Sequence, residues 1–204
     1  MILLEDKGNK VGAHDTKNAW WSDNGIEVCR YPLPVGDYVL SNDTIEELLA
    51  RKSKRGVAVK KMDFMGTYDV AVDSKFGVQE IINNVCGRQH DRFRDEVCLA
   101  QNNGIKLYIL IEDDGGYVDK KNTIFNKPIT RIEDLFSWRN PRAFIYYRGQ
   151  QKYPYATKGS TIAKAMLTMQ EKYGCEFVFC RSKDAGAKVI ELLTRDKGDS
   201  NNDG

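Results

Sequence analysis

Two periodicities of apolar residues take turns along the chain. Residues 1–4 form a short apolar run ending at Glu5 and Asp6 and predict a buried strand. Residues 17–24 predict a helix with its apolar contact at residues 19–21, stopped by Gly25. "IEVCRYPL" alternates as a strand, Pro34 and Gly36 mark a turn, and a second strand follows over residues 37–40. "TIEELLARKSKRG" predicts a short helix, with Thr44 and Glu47 as its capping box.

"YDVAVDSKFGVQE" changes period in mid-course. Residues 68–73 alternate as a strand, while Val78, Ile81, Ile82 and Val85 fall at helical spacing. Another helix over residues 92–102 puts Phe93, Val97 and Ala100 on one face. "IKLYILIE" is the most apolar stretch and predicts a central strand. A helix at residues 162–173, the strand "CEFVFC" and a helix at 185–193 close the pattern. Strands alternating with helices predict an α/β fold, a mixed central sheet flanked by helices on both faces. Residues 1–195 are expected to form one domain, with 115–158 as a loop-rich insertion holding a short helix at 132–138. Residues 196–204 are polar and contain glycine, and are expected to be a disordered tail.

The 204 residues, 41% of them hydrophobic, allow a sizeable core. A net charge of +2 leaves any affinity for nucleic acid to the distribution of charge. Five cysteines with no CxxC argue against a disulfide framework or zinc ribbon and for reduced thiols in a cytoplasmic protein. Two histidines leave little scope for a histidine-rich metal site. Oxygen ligands, and so magnesium or manganese, are the alternative. No run approaches a membrane span, and the opening apolar run is shorter than a signal peptide.

Acidic residues fall at several predicted strand ends: Glu5 and Asp6, Asp37, Asp73, and Glu112. Phosphodiester hydrolysis needs charge neutralisation and a nucleophilic water, which a carboxylate-held divalent ion supplies. Side chains repeat every second residue along a strand, so Asp73 and Lys75 share one face. An Asp-x-Lys pair by itself is most often an ordinary polar strand end.

The ordered set is more specific. Gly36-Asp37-Tyr38, then Asp73-Ser74-Lys75, then Arg92, Phe93 and Glu96, then the strand ending at Glu112, resembles the XPF-type nuclease family of the PD-(D/E)XK superfamily. The resemblance covers residues 1 to about 114. It implies a restriction-endonuclease-like fold and a magnesium- or manganese-dependent DNA endonuclease acting on branched, flapped or junction DNA. Asp37 and Asp73 would be metal ligands and Lys75 the catalytic lysine. An acid after the first strand would complete the set, Asp6 or alternatively Glu5. Where the family has Glu-Arg-Lys this chain has Asp-Ser-Lys, without the middle arginine. The chain looks like the stand-alone prokaryotic and phage forms that lack a helix-hairpin-helix module, and the family implies a homodimer. A less selective DNase and a silent DNA-binding module on the same fold are the rival readings; retention of Asp37, Asp73 and Lys75 together argues against the second.

Supporting positions remain open between two uses. Glu96 sits beside the apolar face of its helix, where Arg92 can pair with it. Glu80 falls in a helix first turn, which favours a carboxylate in any protein. Arg51, Lys52, Lys54, Arg55, Lys60 and Lys61 are either a phosphate-binding cluster or a solvated loop. Trp138 with Arg139 and Arg142, and Arg88 with His90 and Arg92, are further basic candidates for contact with DNA.

Overall fold

The computed structural model describes residues 1–10, 12, 14–117 and 125–195. The tail expected at 196–204 lies outside them. Among the described residues eight strands are present: β1 (Ile2–Asp6), β2 (Glu27–Tyr31), β3 (Tyr38–Leu40), β4 (Val70–Lys75), β5 (Lys106–Glu112), β6 (Tyr146–Tyr147), β7 (Gln150–Gln151) and β8 (Glu176–Cys180). The α-helices are α1 (Asp15–Asp23), α2 (Asp43–Lys54), α3 (Val78–Val85), α4 (His90–Asn102), α5 (Gly159–Tyr173) and α6 (Ala185–Thr194).

Six strands form one sheet in the order β2-β1-β3-β4-β5-β8. β3 is antiparallel to both β1 and β4, and the other pairings are parallel, so the sheet is mixed as the alternation predicts. Strand alternation divides the core. Leu4, Val39, Ala71 and Ile109 face α2, α3, α4 and α5; Leu3, Tyr38, Val72 and Leu110 face α1 and α6. Helices therefore cover both faces. β5 is buried from Leu107 to Glu112, which accounts for its unbroken apolar run. No helix among the described residues is long and apolar enough to cross a membrane.

Several local expectations shift. The cap of α2 is Asn42, whose side chain accepts from the Ile45 N–H at 2.9 Å, in place of the expected Thr44–Glu47 box. β4 continues through Ser74 and Lys75 rather than stopping at Asp73, because Ser74 and Lys75 pair with Leu110 and Ile111 of β5. The loop-rich segment contains the β6–β7 hairpin, too short for periodicity to signal.

Candidate active site

Gly36 fixes the position of Asp37. It has φ +74°, and a Cβ there would lie 2.9 Å from the Ala71 Cβ and 3.1 Å from the Val72 carbonyl. The backbone can therefore lie against β4, where the Asp37 N–H donates to the Val72 carbonyl at 2.8 Å. Asp37 Oδ2 accepts from the Ser74 N–H at 2.9 Å. Two strand ends are thus joined through one carboxylate.

Asp73 and Lys75 project on the face covered by α4. Lys75 Nζ donates to Asp73 Oδ1 at 2.7 Å, and Asp73 Oδ2 is buried without a hydrogen-bond partner. Glu96 of α4 completes the group, its Oε1 accepting from the Gly36 N–H at 3.1 Å. Burial, then the charge of Asp73, raises the pKa of Asp37 well above the usual carboxylate range. The same two causes raise that of Glu96. Burial works to lower the Lys75 pKa, but Asp73 and Asp37 outweigh it and leave it raised, so Lys75 stays an ammonium.

Three carboxylates around one ammonium leave an excess of negative charge. That excess, the unpartnered Asp73 oxygen and the all-oxygen donor set fit a hard divalent cation. Among the described residues no three His, Cys, Asp or Glu side chains form a ready-made metal cluster. The cleft in front of the group has a volume of about 300 Å³; Asp37, Lys75, Glu80, Arg92, Glu96 and His14 are among the residues that line it.

The other face of β4 carries an arrangement that the sequence pattern did not reveal. Lys17 of α1 is 2% exposed and pairs with the buried Glu112. Ser74 lies between them, its Oγ donating to Glu112 Oε1 at 3.0 Å and accepting from Lys17 Nζ at 3.2 Å. Phe76 covers the ammonium, with its ring centroid 4.7 Å away, and His14 stacks on Phe76 at 5.3 Å. Burial, then the charges of Lys17 and Arg30, lowers the His14 pKa to about 4, so this imidazole is neutral. The available signal was the i, i+4 spacing of Lys17 and Trp21, which puts a cation on the buried side of α1.

The remaining predicted residues separate. Asp6 shares the sheet face of Leu4, but its Oδ1 accepts from the Leu33 N–H at 2.8 Å and it braces the turn before Asp37. Glu5 points to the opposite face and pairs with Arg30 at 3.4 Å. Glu80 lines the cleft while its Oε2 accepts from the Phe76 N–H at 2.7 Å. The expected Arg92–Glu96 pair is absent: Glu96 turns inward to Gly36, and Arg92 stands exposed at the cleft. Arg51, Lys54, Arg55, Lys60 and Lys61 are exposed, and the charge of Lys61 acts on Glu96. Lys52 is held by Asp63 at 2.6 Å. Arg88 is exposed. Trp138 is buried in the core rather than offered to a ligand. The Arg139 guanidinium packs over Phe125 at 5.3 Å and Phe144 at 4.5 Å, which leaves Arg142 as the freer of that pair.

Comparison with known proteins agrees with the fold. XPF from Aeropyrum pernix is similar in structure, with a TM-score of 0.53 and 12% sequence identity over 98% of this chain and 66% of that one. XPF from Aeropyrum pernix in complex with DNA is similar with a TM-score of 0.51 and 13% identity, over 96% of this chain and 64% of that one. The chain thus spans just under two thirds of each, and at these identities the likeness is one of fold. No curated protein matches in sequence. The ERCC4 domain profile matches residues 11–193, and the chain belongs to the ERCC4 domain family.

Proposed function

We propose that this protein is a divalent-metal-dependent DNA endonuclease that prefers branched, flapped or junction DNA in replication, recombination or repair. The observation that carries the reading is the convergence of Asp37, Asp73 and Glu96 on Lys75, with Asp73 Oδ2 buried and unpartnered. Asp37 and Asp73 would hold magnesium or manganese, with Glu96 beside them; a bound ion supplies charge neutralisation at the phosphate and a more acidic water.

The chain's own groups supply the positioning. Lys75, kept cationic by its carboxylate neighbours, orients the attacking water and offsets charge growing on the scissile phosphate. Gly36 and Ser74 hold Glu96 and Asp37 by their N–H groups, so the acidic oxygens are fixed before substrate arrives. Asp6 braces the turn that carries Asp37, a supporting place rather than a ligand's. Arg92 at the cleft and the exposed cations Arg51, Lys54, Arg55, Lys60 and Lys61 would contact phosphates. Phosphate contacts alone position a duplex without reading its sequence, which favours recognition of shape. The structural neighbour solved with DNA and the family resemblance support the same substrate class, and a homodimer is the assembly the resemblance implies.

Labelled duplex, flap, fork and four-way junction DNA, each incubated with magnesium, manganese or EDTA, test the reading. Cleavage of branched forms that EDTA abolishes is expected. Equal cutting of plain duplex would replace the structure-selective activity by a general DNase. Tight binding with no cutting would leave a silent DNA-binding module.

A further inference from the structure

The longest stretch without an acid runs from residue 135 to 170 and carries six cations, Arg139, Arg142, Arg148, Lys152, Lys158 and Lys164. Within it the β6–β7 hairpin and the segment after it expose aromatic rings to solvent. Tyr147 is 63% and Tyr155 97% exposed. Cations lie directly against such rings. Arg148 is 5.2 Å from the Tyr147 ring centroid, and Arg142 and Lys152 are 5.8 and 5.4 Å from that of Tyr153. The hairpin turn consists of Arg148 at φ +49° and Gly149 at φ +79°, the left-handed pair that a two-residue primed turn requires. An arginine at a site usually given to glycine or asparagine puts a charge at the hairpin tip.

The base of this unit is fixed. Asn140 Nδ2 donates to the Thr157 carbonyl at 2.9 Å, and Gln79 Nε2 of α3 donates to Asn140 Oδ1 at 2.8 Å. α3 is thereby a wall shared with the cleft. Its Glu80 and Asn84 line the active-site side, and its Gln79 and Asn83 line the groove beside Tyr153 and Tyr155. A strand leaving the cleft over α3 arrives at Tyr153 and Tyr155, and the hairpin with Tyr147 precedes them in the chain.

From this we infer that the β6–β7 hairpin and the segment through Tyr155 form a docking surface for single-stranded DNA, the unpaired arm of the substrate. Exposed aromatic faces stack unpaired bases, and interleaved cations follow the phosphates. A duplex hides its base faces and has no use for the rings. A second copy docked through the same face would oppose cation to cation, which disfavours that occupant. The assignment deepens the endonuclease reading and rests on it, since it names the part of a branched substrate held away from the cut.

The test uses the full chain in EDTA, with fluorescence anisotropy on three probes: an oligothymidylate, the same length of abasic strand, and a blunt duplex. For Tyr147→Ser/Tyr155→Ser, affinity for the oligothymidylate is expected to fall about tenfold or more, and that for duplex and abasic strand less than about twofold. Tyr147→Phe/Tyr155→Phe, which keeps the rings, should bind as the unaltered protein does. An unchanged oligothymidylate affinity, or an equal loss on all three probes, overturns the inference. So does a dimer of the unaltered protein that becomes monomeric in the serine variant at unchanged oligothymidylate affinity, since the face is then a contact between copies. Cleavage is read separately. A selective loss of single-strand binding in a protein that cuts nothing would retain the docking surface and remove the endonuclease reading; DNA cleavage with unaltered single-strand binding would do the reverse.

Discussion

Asp37 Oδ2 accepts a hydrogen bond from the Ser74 N–H at 2.9 Å, so one carboxylate both belongs to the acidic cluster and ties the β3 turn to the end of β4. Ser74 is held from the other side as well, through its hydroxyl, by Glu112 and Lys17. Asp73 and Lys75 flank a residue held from both faces of the strand.

Asp37→Asn separates the two duties of Asp37. An asparagine oxygen still accepts the Ser74 N–H, while the buried charge and its repulsion from Asp73, which together raise the Asp37 pKa, disappear. Cleavage should fall at least about a hundredfold. Stability in EDTA should stay level or rise by about 1 kcal/mol, as when a strained active site is relaxed. Urea denaturation beside a cleavage assay measures both; loss of stability together with activity would make Asp37 a structural residue.

Lys17→Met strands Glu112 in the core. Removing one partner of a buried ion pair typically costs about 3–5 kcal/mol, and replacing both costs far less. Lys17→Met/Glu112→Gln should therefore recover most of the urea midpoint lost by the single variant. An additive double variant would mean that the two groups do not depend on each other.

His14 gives a pH signature. Its folded pKa is about 4, below the usual 6.5, so between those values the unfolded chain binds more protons than the folded one. The His14 contribution is fully lost below the folded value and recovered as pH rises through about 6.5, a difference of about 3 kcal/mol. Thermal melts of the protein and of His14→Phe across that window isolate it, since the carboxylates common to both cancel. Parallel curves would mean that His14 is exposed to protons in the folded state.

Lys52 should matter less to DNA than its neighbours, because Asp63 already holds it at 2.6 Å. Neutralising Lys54, Arg55 and Lys60 together should flatten the dependence of log K on log salt by roughly one unit of slope per lost phosphate contact. Lys52→Ala alone should leave the slope unchanged. A flattened slope from Lys52→Ala and none from the triple variant would reverse this assignment.

Much of the fold was legible because the longer strands and helices have a clean period. β5 reads from its apolar run, α3 from Val78, Ile81, Ile82 and Val85, and the Asp73–Lys75 face from strand alternation. What could not be read depends on contacts between distant elements. Glu96 turns to Gly36 and away from Arg92 because a backbone N–H sixty residues earlier in the chain is brought within 3.1 Å. Lys17 reads as a solvated helix lysine until Glu112 and Ser74 fold beneath it. Asp6 looks like a ligand at a strand end, and only the path of the chain through Leu33 shows what its oxygen accepts.

DNA cleavage is proposed for the cluster at the end of β4. A single-turnover assay on flapped DNA with magnesium, comparing the protein with Asp73→Asn, tests it most directly. The account predicts cleavage by the unaltered protein, its abolition by Asp73→Asn, and DNA affinity in EDTA within about threefold for the two proteins. Cleavage by Asp73→Asn at the unaltered rate would contradict the claim.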